Sequence, residues 1–254
     1  MHGWQSFIAI GDSFTEGLDD PGPNGHYLGW ADRLAELLAV DQPGLRYANL
    51  AIRGKYLGQV LADQFPLALA ANADLVTFCA GGNDILRPSG DPDELAARYE
   101  AAVAQLRAAG SDVVICTGFD TRFTPVLKHV RGRIAAYNLH LWSIADRYGC
   151  RMVDLWSMRV LHDPRAWSAD RLHLSAAGHH RVALHAAEVL GLEVTEDWRE
   201  PWPPLADLAW FDRRRADLKW TREHFVPWIG RHLRGRSSGD GLPPKRPELA
   251  PLRQ

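Results

Sequence analysis

Five short apolar runs, separated by longer segments with apolar residues at helical spacing, constrain the fold of this chain more than any other feature. The runs are SFIAIG (Ser6 to Gly11), RYANLA (Arg46 to Ala51), DLVTFCA (Asp74 to Ala80), DVVICTG (Asp112 to Gly118) and RMVDLW (Arg151 to Trp156). Nearly continuous apolarity is what a strand needs when both of its faces are buried. Between the runs, Leu28 to Val40 carries Trp30, Leu34, Leu37 and Leu38 on one helical face, and Asp93 to Ala109 carries Leu95, Tyr99, Val103 and Leu106. Val130 to Tyr148 and Ser175 to Leu190 complete the set, with Gly149 and Gly191 placed to end them. The alternation predicts a three-layer α/β/α sandwich with a five-stranded parallel sheet, spanning residues 1–192. In open sheets of this kind ligands bind at the carboxyl ends of the strands, so the residues just after each strand carry the functional reading.

Beyond Leu192 the pattern changes. Residues 193–254 are rich in tryptophan and punctuated by proline, with Trp198, Trp202, Trp210, Trp220 and Trp228 close together. Leu205 to Leu233 reads as one or two amphipathic helices, and the stretch from Gly235 has the Gly/Ser/Pro composition of a flexible tail. So many indole rings are expected to be buried, either against the α/β domain as a clasp or in a homodimer interface.

A formal net charge of −2 over 254 residues supplies no field that would recruit nucleic acid or an anionic membrane, so a small neutral partner is expected. The basic residues Arg231, Arg234, Arg236, Lys245 and Arg246 are broken up by Gly, Pro and Asp240 and read as a solvated face. Cys79, Cys116 and Cys150 are far apart and lie in or beside apolar runs, which reads as buried thiols and a reducing, cytoplasmic setting. No run reaches membrane-spanning length.

Four elements carry chemistry. Gly11-Asp12-Ser13-Phe14-Thr15-Glu16-Gly17 puts a serine at the carboxyl end of the first strand, where a nucleophile must stand. Taken alone, Ser13 could equally cap a helix. Thr15 stands where the GxSxG elbow has glycine, so an ordinary α/β-hydrolase is disfavoured. Asp170-Arg171-Leu172-His173 precedes the last helix and supplies a histidine that can take a serine proton, with a carboxylate one turn away to orient it. Gly81-Gly82-Asn83-Asp84 follows the third strand, and the Asn83 amide is a neutral donor suited to an oxyanion. Arg53-Gly54-Lys55 follows the second strand and could add a backbone donor. His179, His180 and His185 fall inside the last helix and read as packing or surface groups. Ser175 reads as that helix's cap, Asp154 as a turn carboxylate, and Trp167 as a packing residue or a wall of an acyl pocket. Asp12 and Glu16 are explained by solvation or by charge complementarity to a helix start.

In family order and at family-like separations, these elements resemble the SGNH hydrolases, also called GDSL lipases or esterases. Phe14 stands where the family name has leucine. The resemblance covers roughly residues 5–192. It implies a flavodoxin-like SGNH hydrolase fold and a catalytic triad of Ser13, Asp170 and His173. It also implies an oxyanion hole from the N–H groups of Ser13 and Gly54 and the Asn83 side chain, with no metal or organic cofactor. The expected activity is hydrolysis of a short-chain acyl or acetyl ester through an acyl-enzyme. An acyltransferase with the same triad, or a non-catalytic binding module on the same scaffold, would be the alternatives.

Overall fold

Strand β1 (Ser6–Gly11) shows why the runs form a buried sheet: every residue in it is buried, and its side chains alternate between two cores. Phe7 and Ala9 enter one core with Trp30, Leu34 and Val182, while Ile8 and Ile10 enter the other with Val60, Tyr99 and Leu141. The computed structural model describes residues 3–22, 25–124, 127–204, 220, 222, 237 and 239–252. Around β1 lie β2 (Arg46–Asn49), β3 (Leu75–Cys79), β4 (Asp112–Cys116) and β5 (Arg151–Val153), all parallel, in the spatial order β5-β4-β3-β1-β2.

Among the helices, the first is the single turn α1 (Ser13–Glu16). Helices α2 (Gly29–Asp41) and α8 (Ala176–Val189) cover one face of the sheet. The other is covered by α3 (Leu57–Asp63), α4 (Phe65–Ala71), α6 (Pro92–Ala108) and α7 (Arg131–Tyr148), with the short α5 (Gly82–Ile85) after β3. The ends follow local chemistry: Asp91 caps α6 by accepting from the N–H of Asp93 and Glu94, and Ser175 caps α8 by accepting from Gly178. The chain order reverses between β1 and β3, which opens a crevice at their carboxyl ends. Both following turns, with Ser13 and Asn83, face it.

Two features differ from the sequence reading. The segment between β2 and β3 folds as α3 and α4, which were not expected. A sixth strand, β6 (Arg246–Pro251), pairs antiparallel with β2 and lies in the stretch expected to be a flexible tail. Its composition hid it. RPELAP carries two prolines, which a strand accepts only at a sheet edge, where half of its N–H groups need no ladder partner.

The same segment corrects the reading of Lys245 as part of a solvated face. Its ammonium is turned into the protein, donates to the carbonyls of Tyr27 and Leu28 at 3.0 and 2.9 Å, and pairs with Asp32. Trp198 is also buried, its ring 4.3 Å from that of His185, and Trp202 packs at the edge of the same core. Trp210 and Trp228, and the helices expected over 205–233, lie outside the described residues except at Trp220 and Arg222. Ending the chain at Leu192 is expected to strip a buried tryptophan, a sheet strand and the Lys245 contacts. Leaving the half-buried Asp32 without its partner adds to that loss. Thermal unfolding checks this, and a truncated protein that stays soluble and equally heat-stable would contradict it.

Candidate active site

The turn after β1 is shaped by close backbone approach. A Cβ on Gly11 would stand 2.3 Å from the Cys79 carbonyl oxygen, so only glycine lets the chain leave β1 there. Asp12 then caps α1 through Phe14 N–H at 3.1 Å, and Ser13 is the first helical residue, not the cap. On the opposite side, Trp167 and Leu174 form an isolated antiparallel bridge, and Ser168 N–H donates to His173 O at 2.8 Å. This bridge brings the 170–173 loop over Ser13.

The three residues expected to act together do meet. His173 Nε2 is 3.0 Å from Ser13 Oγ, and His173 Nδ1 is 2.6 Å from Asp170 Oδ2. The other carboxylate oxygen, Asp170 Oδ1, accepts from the N–H groups of Leu172 and His173, both at 2.9 Å. The His173 bond and charge and these N–H donors hold Asp170 below the usual carboxylate range despite its burial. For His173, burial alone would lower the pKa. The hydrogen bond and charge of Asp170, and then the charges of Asp19 and Asp12, hold it above the ordinary value instead.

Asn83 lines the same cavity as Ser13. Its amide donates to Asp12 Oδ2 at 3.1 Å and to the Lys55 carbonyl at 3.0 Å, so an incoming oxyanion would replace one of these acceptors. Gly54 is left-handed at φ 72° and does not line the cavity; Ser237 packs so tightly on it that a Cβ would meet its Oγ at 2.0 Å. The loop is tied to the nucleophile turn by Glu16, which accepts from Arg53 N–H at 2.6 Å and pairs with its guanidinium. Asp12 is buried as well, and burial pushes its carboxyl up to about 6. Solvation therefore does not account for Asp12 and Glu16, while the helix-start reading holds for Asp12 as the cap of α1 but leaves its other contacts unexplained. Asp12 links Asn83 to the nucleophile turn, and Glu16 links that turn to the Gly54 loop. Local sequence could have hinted at this only through two acids flanking the nucleophile.

The remaining candidates separate cleanly. His179 is buried, lines the cavity and accepts from Trp30 N–H at 3.2 Å, and burial lowers it to about 4. Asp154 accepts from Thr117 Oγ1 at 3.1 Å, away from the histidine. Trp167 lines the cavity edge-on to Phe119, with ring centres 4.6 Å apart. Cys79 and Cys116 are free and buried on the cavity floor, where burial raises the Cys79 thiol well above its ordinary range. Asp19, Asp170 and His173 bring donor atoms within 4.8 Å of one another. Ser13 and Asp170 occupy both His173 nitrogens, however, so the group is a hydrogen-bonded chain and not an open ligand set.

A serine, a histidine and a carboxylate stand in line at the carboxyl end of a parallel sheet, the arrangement that serine hydrolases use. The family model of GDSL-like lipases/acylhydrolases matches residues 9–181, and the chain belongs to that family of carboxylic ester hydrolases. Its fold is shared by the acetylxylan esterase of Geobacillus stearothermophilus, at 22% identity over 78% of this chain and 97% of that one, with a TM-score of 0.61. An alpha/beta hydrolase from the metagenome of Lake Arreo, Spain, is 23% identical over 75% of this chain and 96% of its own, with a TM-score of 0.62. No curated protein matches the sequence. Among the described residues no helix is long and apolar enough to cross a membrane.

Proposed function

We propose that the protein hydrolyses short-chain acyl esters through a covalent intermediate on Ser13, with His173 as base and acid and Asp170 as its orienting carboxylate. The observation that carries this reading is the unbroken line from Ser13 Oγ to His173 Nε2 and from His173 Nδ1 to Asp170 Oδ2, at 3.0 and 2.6 Å. His173 removes the serine proton as Ser13 Oγ bonds to the acyl carbon, then returns it to the leaving alkoxide as the ester bond breaks. Water repeats the sequence to release the acid. The Ser13 N–H and the Asn83 amide, which line the cavity, are the proposed donors to the tetrahedral oxyanion, while the Gly54 N–H, expected as a third, belongs to a loop residue that does not line it. Catalytic mutants of the Geobacillus esterase replace a serine, an aspartate and a histidine by alanine, which agrees with this set of residue types.

The acyl group has an apolar place to go. A cavity of about 170 Å³ opens beside Ser13 and is walled by Phe14, Leu86, Phe119, Ile134, Leu141 and Trp167. A space of about 150 Å³ holds a six-carbon ring, so the cavity takes more than an acetyl group but not a long lipid chain. The buried Trp198 and the Lys245 contacts support packing of these two parts of residues 193–254 on this domain, while the clasp or dimer interface expected of Leu205 to Leu233 lies outside the described residues except at Trp220 and Arg222.

Rates on p-nitrophenyl esters across chain length and pH test the proposal. kcat/KM should peak at acyl chains of about four to six carbons. It should fall tenfold per pH unit on the acid side, because only neutral His173 can accept the serine proton. Its raised pKa puts the midpoint above about 6.5. A profile flat to pH 5, or a preference for decanoyl and longer esters, would contradict the base or the cavity assignment. Added alcohols that divert the acyl group into new esters would mark an acyltransferase with the same triad.

A further inference from the structure

Behind the Asp170–His173 pair lies a second carboxylate that the triad does not require. The Ser168 hydroxyl is 2.7 Å from Asp19 Oδ2 and 2.7 Å from Asp170 Oδ1, and Asp170 N–H points back at the same oxygen at 3.3 Å. A hydroxyl has one hydrogen, so it donates to one carboxylate at a time and ties both into a single unit. Ser168 is itself fixed: its N–H donates to His173 O at 2.8 Å, and its carbonyl accepts from Arg171 N–H at 3.0 Å. The hydroxyl therefore cannot move to serve one acid without altering its contact with the other.

The backbone supplies an independent observation. Asp19 sits at φ 68°, in the left-handed region where glycine is at ease and a side chain is strained. Aspartate is one of the few side chains that tolerate this region, though glycine occupies it at no steric cost. What aspartate adds is a carboxylate, and that carboxylate meets Ser168. Strain kept beside a reactive group points toward function.

We propose that Asp19 is a positioning residue for the triad, acting through the Ser168 hydroxyl to fix the Asp170 carboxylate against the His173 ring and to place a second negative charge behind the base. The proposal rests on the assignment of Ser13, His173 and Asp170 above. The carboxyl groups facing His173 are Asp12 from the turn before α1, Asp19 from the loop after α1, and Asp170 from its own loop; each favours the protonated ring. His179, from α8, is held neutral by burial. As Ser13 gives up its proton, the imidazolium forms in front of Asp170 with Asp19 one hydroxyl further back. Removing the Asp19 charge makes that transfer less favourable.

Asp19→Asn and Asp19→Gly, assayed in the full chain on p-nitrophenyl butyrate from pH 5 to 9, test this. Both should lower kcat by about 3–10-fold with KM nearly unchanged and move the acid limb to lower pH. Asp19→Gly also relieves the left-handed strain, so its unfolding temperature should equal or exceed that of the parent while the kinetic defect remains. Ser168→Ala should lower kcat as well, with Asp19→Asn adding little in that background. An unmoved acid limb with unchanged kcat, or a rate loss that only tracks a fall in unfolding temperature, overturns the proposal. An inactive parent protein would instead remove the triad assignment on which it depends.

Discussion

Replacing Ser13 by alanine is expected to lower kcat for p-nitrophenyl ester hydrolysis by at least about 10⁴-fold without unfolding the protein. Triad members act as a unit, and losing the attacking oxygen removes the covalent route altogether. The side chain contributes little to packing, since it stands at the mouth of the cavity with His173 as its hydrogen-bond partner. Circular dichroism and the unfolding temperature should therefore match the parent. Purified, folded Ser13→Ala protein that keeps even a tenth of the activity would remove Ser13 from the mechanism.

The second large effect is expected at Asn83. Its amide lines the cavity beside Ser13 and is the proposed side-chain donor to a tetrahedral oxyanion, and deleting one such donor typically costs about 10²–10³-fold in kcat. The same amide donates to Asp12 and to the Lys55 carbonyl, so its loss also unpins the turn that carries Ser13 from the loop that carries Gly54. Asn83→Ala should thus lower kcat strongly with a smaller change in KM. Steady-state kinetics on butyrate esters checks this, and a loss below about fivefold would show that the amide serves the loop contacts alone.

What the sequence made legible follows from how local each signal is. β1, β3 and β4 are buried on both faces, so their runs are apolar throughout and visible without any partner. The Asp170–His173 pair is legible because three positions separate them, and the GDS turn because glycine, acid and serine are adjacent. β6 was missed because it is an edge strand with one neighbour and mixed exposure, which leaves it neither apolar nor free of proline. Helices α3 and α4 are short, and Pro66 and Gly58 interrupt the periodicity that would announce them. The contacts that join the parts of the site span the chain: Glu16 with Arg53, Asp32 with Lys245, Asp19 with Ser168. No window of sequence contains both members of these pairs, and only the folded sheet, with β1 beside β2 and β2 beside β6, brings the first two of them together.

Covalent capture of the nucleophile tests the central claim most directly. A fluorophosphonate reacts with a serine only where a base and an oxyanion site activate it. Treatment of the native protein, digestion and mass spectrometry should locate one phosphonyl adduct on the peptide that contains Ser13. The adduct should be absent from heat-denatured protein and from Ser13→Ala, and strongly reduced in His173→Ala. A native protein that remains unlabelled, or one labelled at another serine, would contradict the account.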